Sequence, residues 1–413
     1  MEGLEKMNSN QFKENVTDTF NDIKGFFKNL SQKQGFKTFT SVALAVIAGL
    51  LVGFLVLIIN NPSRAFQGFG QILIGAFGDP LSPMTGIGEW LYYATPIMLT
   101  GLSVGFAFKT GLFNIGAAGQ FLVGQCAAIF IAFYGGFFGP FQWIVAALAG
   151  IAAGFLWGFI VGVFKAYLNI NEVITAIMLN YIGLYTVNFI IKGNALIYDS
   201  GRTRTFKIPE NSRLPDLGLQ SIFKGSNVDI GILIAILIAV VLYIVLSKTT
   251  FGYELKAVGY NRDASRYAGI NEKKSIILSM GIAGALSGLA GALNILSPGV
   301  IINNLGKDYA PENILPAAGF NGIPVALLGL SNPIAIIFSA LFITFLQRGG
   351  FYTQTIVPIE IIDIIIGIVI YFSAFALLFR NVLAKLITRR RERKAELDNS
   401  EPKSDIDNEG VVS

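Results

Sequence analysis

The 413-residue chain contains no histidine and a single cysteine, Cys126. Without imidazole there is no histidine triad, no histidine-ligated zinc and no imidazole proton relay. With one thiol there is no disulfide within the chain and no cysteine-held cluster. A phosphate-cradling loop is missing too: the one Gly-Lys pair, Gly306-Lys307, is followed by Asp308 and not by Ser or Thr. Charge is scarce. Only 14% of residues are Asp, Glu, Lys or Arg, against 53% hydrophobic, whereas soluble domains carry roughly 25% charged residues.

The charge that exists is unevenly placed. Of 57 charged side chains, 45 lie in residues 1–37, 192–229, 248–274 and 380–413, which leaves 12 for the other 277 residues. Those 277 residues cannot make an aqueous surface, so the chain reads as an integral membrane protein. Its formal net charge of +5 sits mostly beside apolar runs, where membrane topology accounts for it better than nucleic acid does.

A helical span needs about 20 mainly apolar residues. About ten are predicted: 39–59, 91–108, 113–133, 142–164, 173–191, 230–246, 275–296, 313–330, 333–346 and 361–379. The eighth and ninth are short and broken by Pro316, Pro324 and Pro333, a pattern that also fits one hairpin of half-helices. Such long, unalternating runs argue against barrel strands. The expected fold class is therefore all-α and polytopic.

With the N-terminus inside, alternation puts 22 Lys and Arg in the cytoplasm and nine outside. Six of the nine occupy the 192–229 loop, where the positive-inside bias is weakest. Both termini inside is the favoured arrangement. Residues 1–37 read as a cytoplasmic tail and not a cleaved signal, 38–380 as the membrane domain, and 381–413 as a basic stop followed by a disordered tail. No hydrophilic segment is long enough for a soluble catalytic domain.

Gly150, Gly154, Gly158 and Gly162 recur every fourth residue, and Gly281, Gly284, Gly288 and Gly291 make a similar face in the 275–296 span. Such faces let helix backbones approach closely in lipid; lining a narrow conduit is the second reading. Two segments are less generic. In residues 100–125 a span ends at Lys109, a turn follows at Gly111, and Asn114, Gln120 and Gln125 enter the next span. Amides at membrane depth favour the bundle interior, either as interhelical glue or as cavity lining. In residues 250–275, Asn261 caps a short helix, Asp263 suits its first turn and Gly269 ends it. Ala264, Ala268 and Tyr267 make a small apolar face flanked by Arg262 and Arg266. It reads as a plain connector or as an element that docks in a groove on another protein.

Three stretches in this order, GLSVGFAFKTGLFNIGAAGQ, NEVITAIMLNYI and LKAVGYNRDASRYAGI, resemble the membrane permeases of bacterial ATP-binding-cassette (ABC) importers. The relevant branch takes up branched-chain amino acids and simple sugars, and within it the nucleoside permeases are most similar. The family commonly has Glu before the Gly-Gln of the first motif, where this chain has Ala118, so a role for that carboxylate is not carried over. The resemblance implies a transport subunit in the bacterial plasma membrane, with no chemistry and no cofactor of its own. It implies a second, non-identical permease, partner ATPases and a substrate-binding lipoprotein outside. The segment starting at Gly259 matches the family's coupling helix, whose residues here are Gly259, Asn261, Arg262, Ala264, Arg266, Ala268 and Gly269. ATP binding would draw the coupling helices together and switch the pathway by alternating access.

A neutral nucleoside needs amides to hydrogen-bond and rings to stack on. Candidates in the motif-bearing spans are Asn114, Gln120, Gln125 and Asn180, with Phe113 or Tyr181 for stacking. Alternatives are a sugar or branched-chain amino acid permease, or a secondary transporter working without ATP. Asp363 and Glu360, in or near the last span, would serve ion coupling in the latter, or be solvated or paired carboxylates. Arg202, Arg204, Lys207 and Arg213 make the outer loop a docking candidate for the binding protein, or a solvated loop.

Overall fold

The computed structural model describes residues 34–299, 306–354 and 356–374. The two charged tails expected from the sequence lie outside them, apart from residues 34–37. Contacts fall into two units, Met1–Val52 with Tyr371–Ser413, and Gly53–Ile370. In the first, Tyr371 and Phe372 meet edge to face at 6.2 Å. All contacts discussed below belong to the second.

The helices are α1 (Gln34–Asn60), α2 (Ala65–Ile74), α3 (Pro83–Lys109), α4 (Ala117–Tyr134), α5 (Gln142–Leu168), α6 (Glu172–Lys192), α7 (Leu219–Ile222), α8 (Gly231–Lys248), α9 (Thr250–Tyr260), α10 (Arg262–Tyr267), α11 (Glu272–Leu296), α12 (Ala317–Leu328), α13 (Pro333–Tyr352) and α14 (Ile359–Ala374). A two-stranded ribbon, β1 (Tyr198–Asp199) with β2 (Arg204–Thr205), lies in the loop after α6. Among the described residues, eight helices are long and apolar enough to cross a membrane: α1, α3, α4, α5, α6, α8, α11 and α13. Together with α12 and α14 they follow the ten predicted runs in order.

Local chemistry sets the boundaries. Ser82 accepts the Thr85 amide at 3.0 Å and Pro83 fills the first helical position, so α3 starts there. Asn171, Asn271 and Asn332 cap α6, α11 and α13 in the same way. Between α3 and α4 the chain turns at Gly111, with φ +71°, and the helix resumes only at Ala117, later than the predicted start at 113. The α2 segment is an addition. Its apolar run is too short to span and gives no signal on length.

The core is built on α11. Its glycines face those of α5 so closely that a Cβ on Gly154 would strike the Gly284 carbonyl, and one on Gly288 the Gly150 carbonyl. On the other side, Gly124 of α4 abuts Gly288, and Gly291 abuts the Phe121 carbonyl. In lipid no solvent drives helices together, so this close backbone approach supplies the dispersion contacts. The glycine stripes are packing faces.

The α12 helix has 12 residues, about 18 Å, well short of the ~30 Å hydrocarbon layer. It is a half-helix preceded by non-helical chain at 306–316 and joined to α13 by a turn in which Leu330 and Ser331 take φ of +51° and +54°. Residues of the 193–230 loop fold onto this non-helical segment. Thr205 donates its amide to the Tyr309 carbonyl at 2.9 Å and Ile208 to Lys307 at 2.9 Å. Arg204 and Lys207 both approach Asp308, at 3.4 and 3.1 Å. The loop is thus a folded cap, and two of its four singled-out cations are partly neutralised by the chain's own acid.

Candidate functional site

Seven segments converge on a cavity of about 580 Å³ at the end of the bundle that carries the 193–230 loop. Helix α3 contributes Tyr92, Tyr93, Pro96 and Ile97, and the loop contributes Asn227. Asn294 comes from the end of α11, Lys307 from the non-helical segment, and Ala317, Ala318 and Asn321 from the start of α12. Thr344, Gln347, Arg348 and Phe351 of α13 and Ile362 and Asp363 of α14 complete it. The wall combines aromatic faces with amides. The N-terminus of a half-helix opens into it, and such termini present free N–H groups and partial positive charge to a ligand's acceptors.

Each polar side chain is positioned. The Lys307 Nζ donates to Asn294 Oδ1 at 2.8 Å and sits 4.5 Å above the Tyr92 ring. Burial pulls its ammonium down to about 8, partly offset by Glu89. Glu89, buried on α3, accepts both the Asn227 amide at 2.8 Å and its Nδ2 at 2.7 Å, fixing Asn227 at the rim. Thr100 donates to the Ala318 carbonyl at 2.9 Å, which ties the first turn of α12 to α3. The Tyr309 hydroxyl donates to Asn188 Oδ1 at 2.7 Å, and Asn188 Nδ2 donates to the Glu312 carbonyl at 2.8 Å. These bonds hold the non-helical chain against α6.

None of the six side chains singled out for the pathway lines this cavity. Asn114 donates to Ser103 Oγ at 2.9 Å and to Gln120 Oε1 at 2.8 Å, while Gln120 returns a bond to Asn114 Oδ1 at 3.0 Å. Asn180 accepts the Gly119 amide at 2.8 Å and donates to the Ile115 carbonyl at 3.0 Å. These three are buried and satisfied by protein, clamping the irregular 110–116 turn to α3 and α6. Phe113 stacks on Phe108 with ring centres 5.4 Å apart. Gln125 is half-buried and Tyr181 is exposed. Tyr92, Asn227, Asn294, Lys307, Asn321 and Arg348 carried no local sequence signal, since each stands alone in its own segment.

At the opposite end, α9 and α10 form a second feature. Asn261 Oδ1 accepts the Ala264 amide at 2.9 Å, capping α10, and Gly269 takes φ +82° after its end. Ala264, Arg266, Tyr267 and Ala268 are exposed, Tyr267 at 94%; Arg262 is half-buried. A cleft of about 240 Å³ runs beside this helix between the Gly111 turn and residues 258–262.

Residues 86–374 match the family described as branched-chain amino acid transport system, permease component. The chain is 38% identical to a guanosine ABC transporter permease protein, NupP, of Bacillus subtilis, over 83% of this chain and 95% of that one. It is 35% identical to a nucleoside ABC transporter permease protein, NupB, of Lactococcus lactis (83% and 92% covered). It is 28% identical to a glucose ABC transporter permease protein, TsgB13, of Haloferax volcanii (86% and 92% covered). No solved structure matches. With the matched region running from the start of α3 to the end of α14, the chain belongs to this family of transport-system permeases.

Proposed function

We propose that this ABC permease subunit carries nucleosides into a bacterial cell across the plasma membrane, driven by ATP that a partner protein hydrolyses. The observation that carries the reading is the cavity. Its 580 Å³ lies within the range of small-molecule sites. The rings of Tyr92, Tyr93 and Phe351 offer stacking faces, and Asn227, Asn294, Asn321 and Gln347 offer both donors and acceptors. A neutral nucleoside needs that combination of rings and amides. The names of two relatives above 30% identity, a guanosine and a nucleoside permease, point the same way.

Asn114, Gln120 and Asn180 act in this reading as the brace behind the pathway. Phe113, Gln125 and Tyr181 are assigned to its remaining wall, on the side completed by a second permease subunit. Helix α10 is the docking element for the ATPase, with Arg262, Ala264, Arg266 and Ala268 at the contact and Gly259, Asn261 and Gly269 setting its geometry. A binding lipoprotein delivers substrate to the loop end. Alternating access follows from the ATPase moving α10 and from the substrate's differential affinity for the two orientations.

Uptake of labelled nucleoside by cells expressing the whole transporter tests the proposal, with ribose and branched-chain amino acids as competitors. Inhibition by purine or pyrimidine nucleosides alone supports it. Inhibition by ribose or leucine but by no nucleoside would overturn it.

A further inference from the structure

Arg348 is buried to 8% exposure on α13 and lines the cavity. Its guanidinium lies 4.9, 4.7 and 4.8 Å from the ring centres of Tyr93, Phe351 and Tyr352. One Nη2–H goes to the Tyr352 hydroxyl at 2.7 Å, and that hydroxyl donates on to Asp79 Oδ2 at 2.6 Å. Asp79 is thus reached only through the tyrosine. Among the described residues no carboxylate forms a direct ion pair with Arg348, and its Nε–H has no hydrogen-bond partner. Asp363, the acid of the cavity wall, is no exception.

A buried cation without a paired anion, and with a donor left unmet, is costly to hold. Here the aromatic box offsets the cost and fixes the plane of the fork, while the tyrosine anchors one edge. The Arg348 Nε is buried, so the donors left for a ligand are the Nη hydrogens beyond the one given to Tyr352, and such a planar fork matches two adjacent acceptors in one plane. Resting on the nucleoside reading above, we infer that Arg348 is a specificity-determining residue that binds the O6 and N7 edge of a 6-oxopurine nucleoside. Adenosine presents an amino donor where O6 would be, so it meets the guanidinium donor to donor. Pyrimidine nucleosides have no N7. Lysine could keep the charge and the ring contact but offers a point donor with no fork.

The test uses the complete transporter in its membrane and compares initial uptake of guanosine, inosine, 7-deazaguanosine, adenosine and cytidine, by wild type and R348K. Bidentate pairing of this kind discriminates roughly tenfold or more. Wild type is expected to favour guanosine and inosine over 7-deazaguanosine and adenosine by about that factor. R348K is expected to bring guanosine and inosine down to the adenosine level, so that the guanosine-to-adenosine ratio falls by about tenfold. Equal loss of all five substrates in R348K would mark a structural role and overturn the inference. So would an unchanged guanosine-to-adenosine ratio, or a wild type that takes guanosine monophosphate in preference to guanosine. The comparison of guanosine with 7-deazaguanosine needs no variant, so poor membrane insertion of R348K leaves it decisive. A wild type that carries no nucleoside overturns the reading above and this one with it; a wild type that carries all five equally overturns this one alone.

Discussion

Gly259, near the end of α9, meets Gly111, in the turn between α3 and α4, backbone to backbone: a Cβ on Gly111 would lie 3.3 Å from Gly259 Cα, and one on Gly259 would strike the Lys109 carbonyl. The contact joins α9, and through it the exposed helix α10, to the turn that Asn114 and Gln120 brace. Replacing Gly259 with Val is expected to push α9 off this turn. The protein should still insert, but with substrate-stimulated ATPase activity of the assembled transporter reduced by about tenfold. Stimulation at the wild-type level would remove the contact from the transmission.

Tyr267, exposed at 94% on α10, touches little within its own chain. Y267A is expected to leave thermal unfolding in detergent within about 0.5 kcal/mol and to lower co-purification of the ATPase. Asn261→Ala should lower it as well, by loosening the cap at a cost of about 1 kcal/mol. Undiminished ATPase capture by both variants would speak against α10 as the docking element.

At Gly154 the seam between α5 and α11 has no room for a side chain. Gly154→Leu should abolish monodisperse, detergent-soluble protein, because the added atoms meet the Gly284 carbonyl and not a flexible side chain. Gly70→Ala on α2, where nothing lies within 4 Å, should be neutral or should stabilise the helix by up to about 1 kcal/mol. Size-exclusion profiles and melting midpoints of the two variants give the comparison.

Asn188 serves two partners on the non-helical segment, Tyr309 and the Glu312 carbonyl. Asn188→Leu orphans both and should cost about 1–3 kcal/mol for each buried group. Tyr309→Phe removes one bond and should cost less. Ligand-free melting midpoints should rank wild type above Y309F above N188L.

Lys307 has a folded-state pKa lowered to about 8 by burial, against about 10.4 for an unfolded lysine. Between these values the unfolded chain binds more protons than the folded one, so stability rises with pH across that window. Below it the penalty is present in full. The melting midpoint of wild type is expected to gain on that of Lys307→Met as pH goes from 7 to 9. A constant difference between the two would refute the assignment.

The spans were legible because their signal is local: about 20 apolar residues, a cap and a flanking charge. The short helix α10 was legible too, since Asn261, Asp263 and Gly269 each act on their near neighbours. The α2 segment was not, because a run of its length is ambiguous between a core helix and a loop. The cavity was beyond reach for a different reason. Tyr92, Asn227, Asn294, Lys307 and Arg348 are up to 256 positions apart in sequence and look ordinary singly. Asn114, Gln120 and Asn180 stood out because an amide at membrane depth must find a partner, but depth alone leaves open whether that partner is a ligand or another helix. All three have partners within the protein.

The glycine seam also limits how the molecule can move. Side chains that interlock can change rotamer and let two helices slide by degrees; carbonyls pressed against glycine Cα atoms have nothing to rearrange. Helices α4, α5 and α11 therefore travel as one block. The half-helix α12 joins it: Gly319 meets the Ala118 backbone of α4, and Gly322 meets the Thr100 backbone of α3. Any change of orientation has to be taken up outside these glycine contacts.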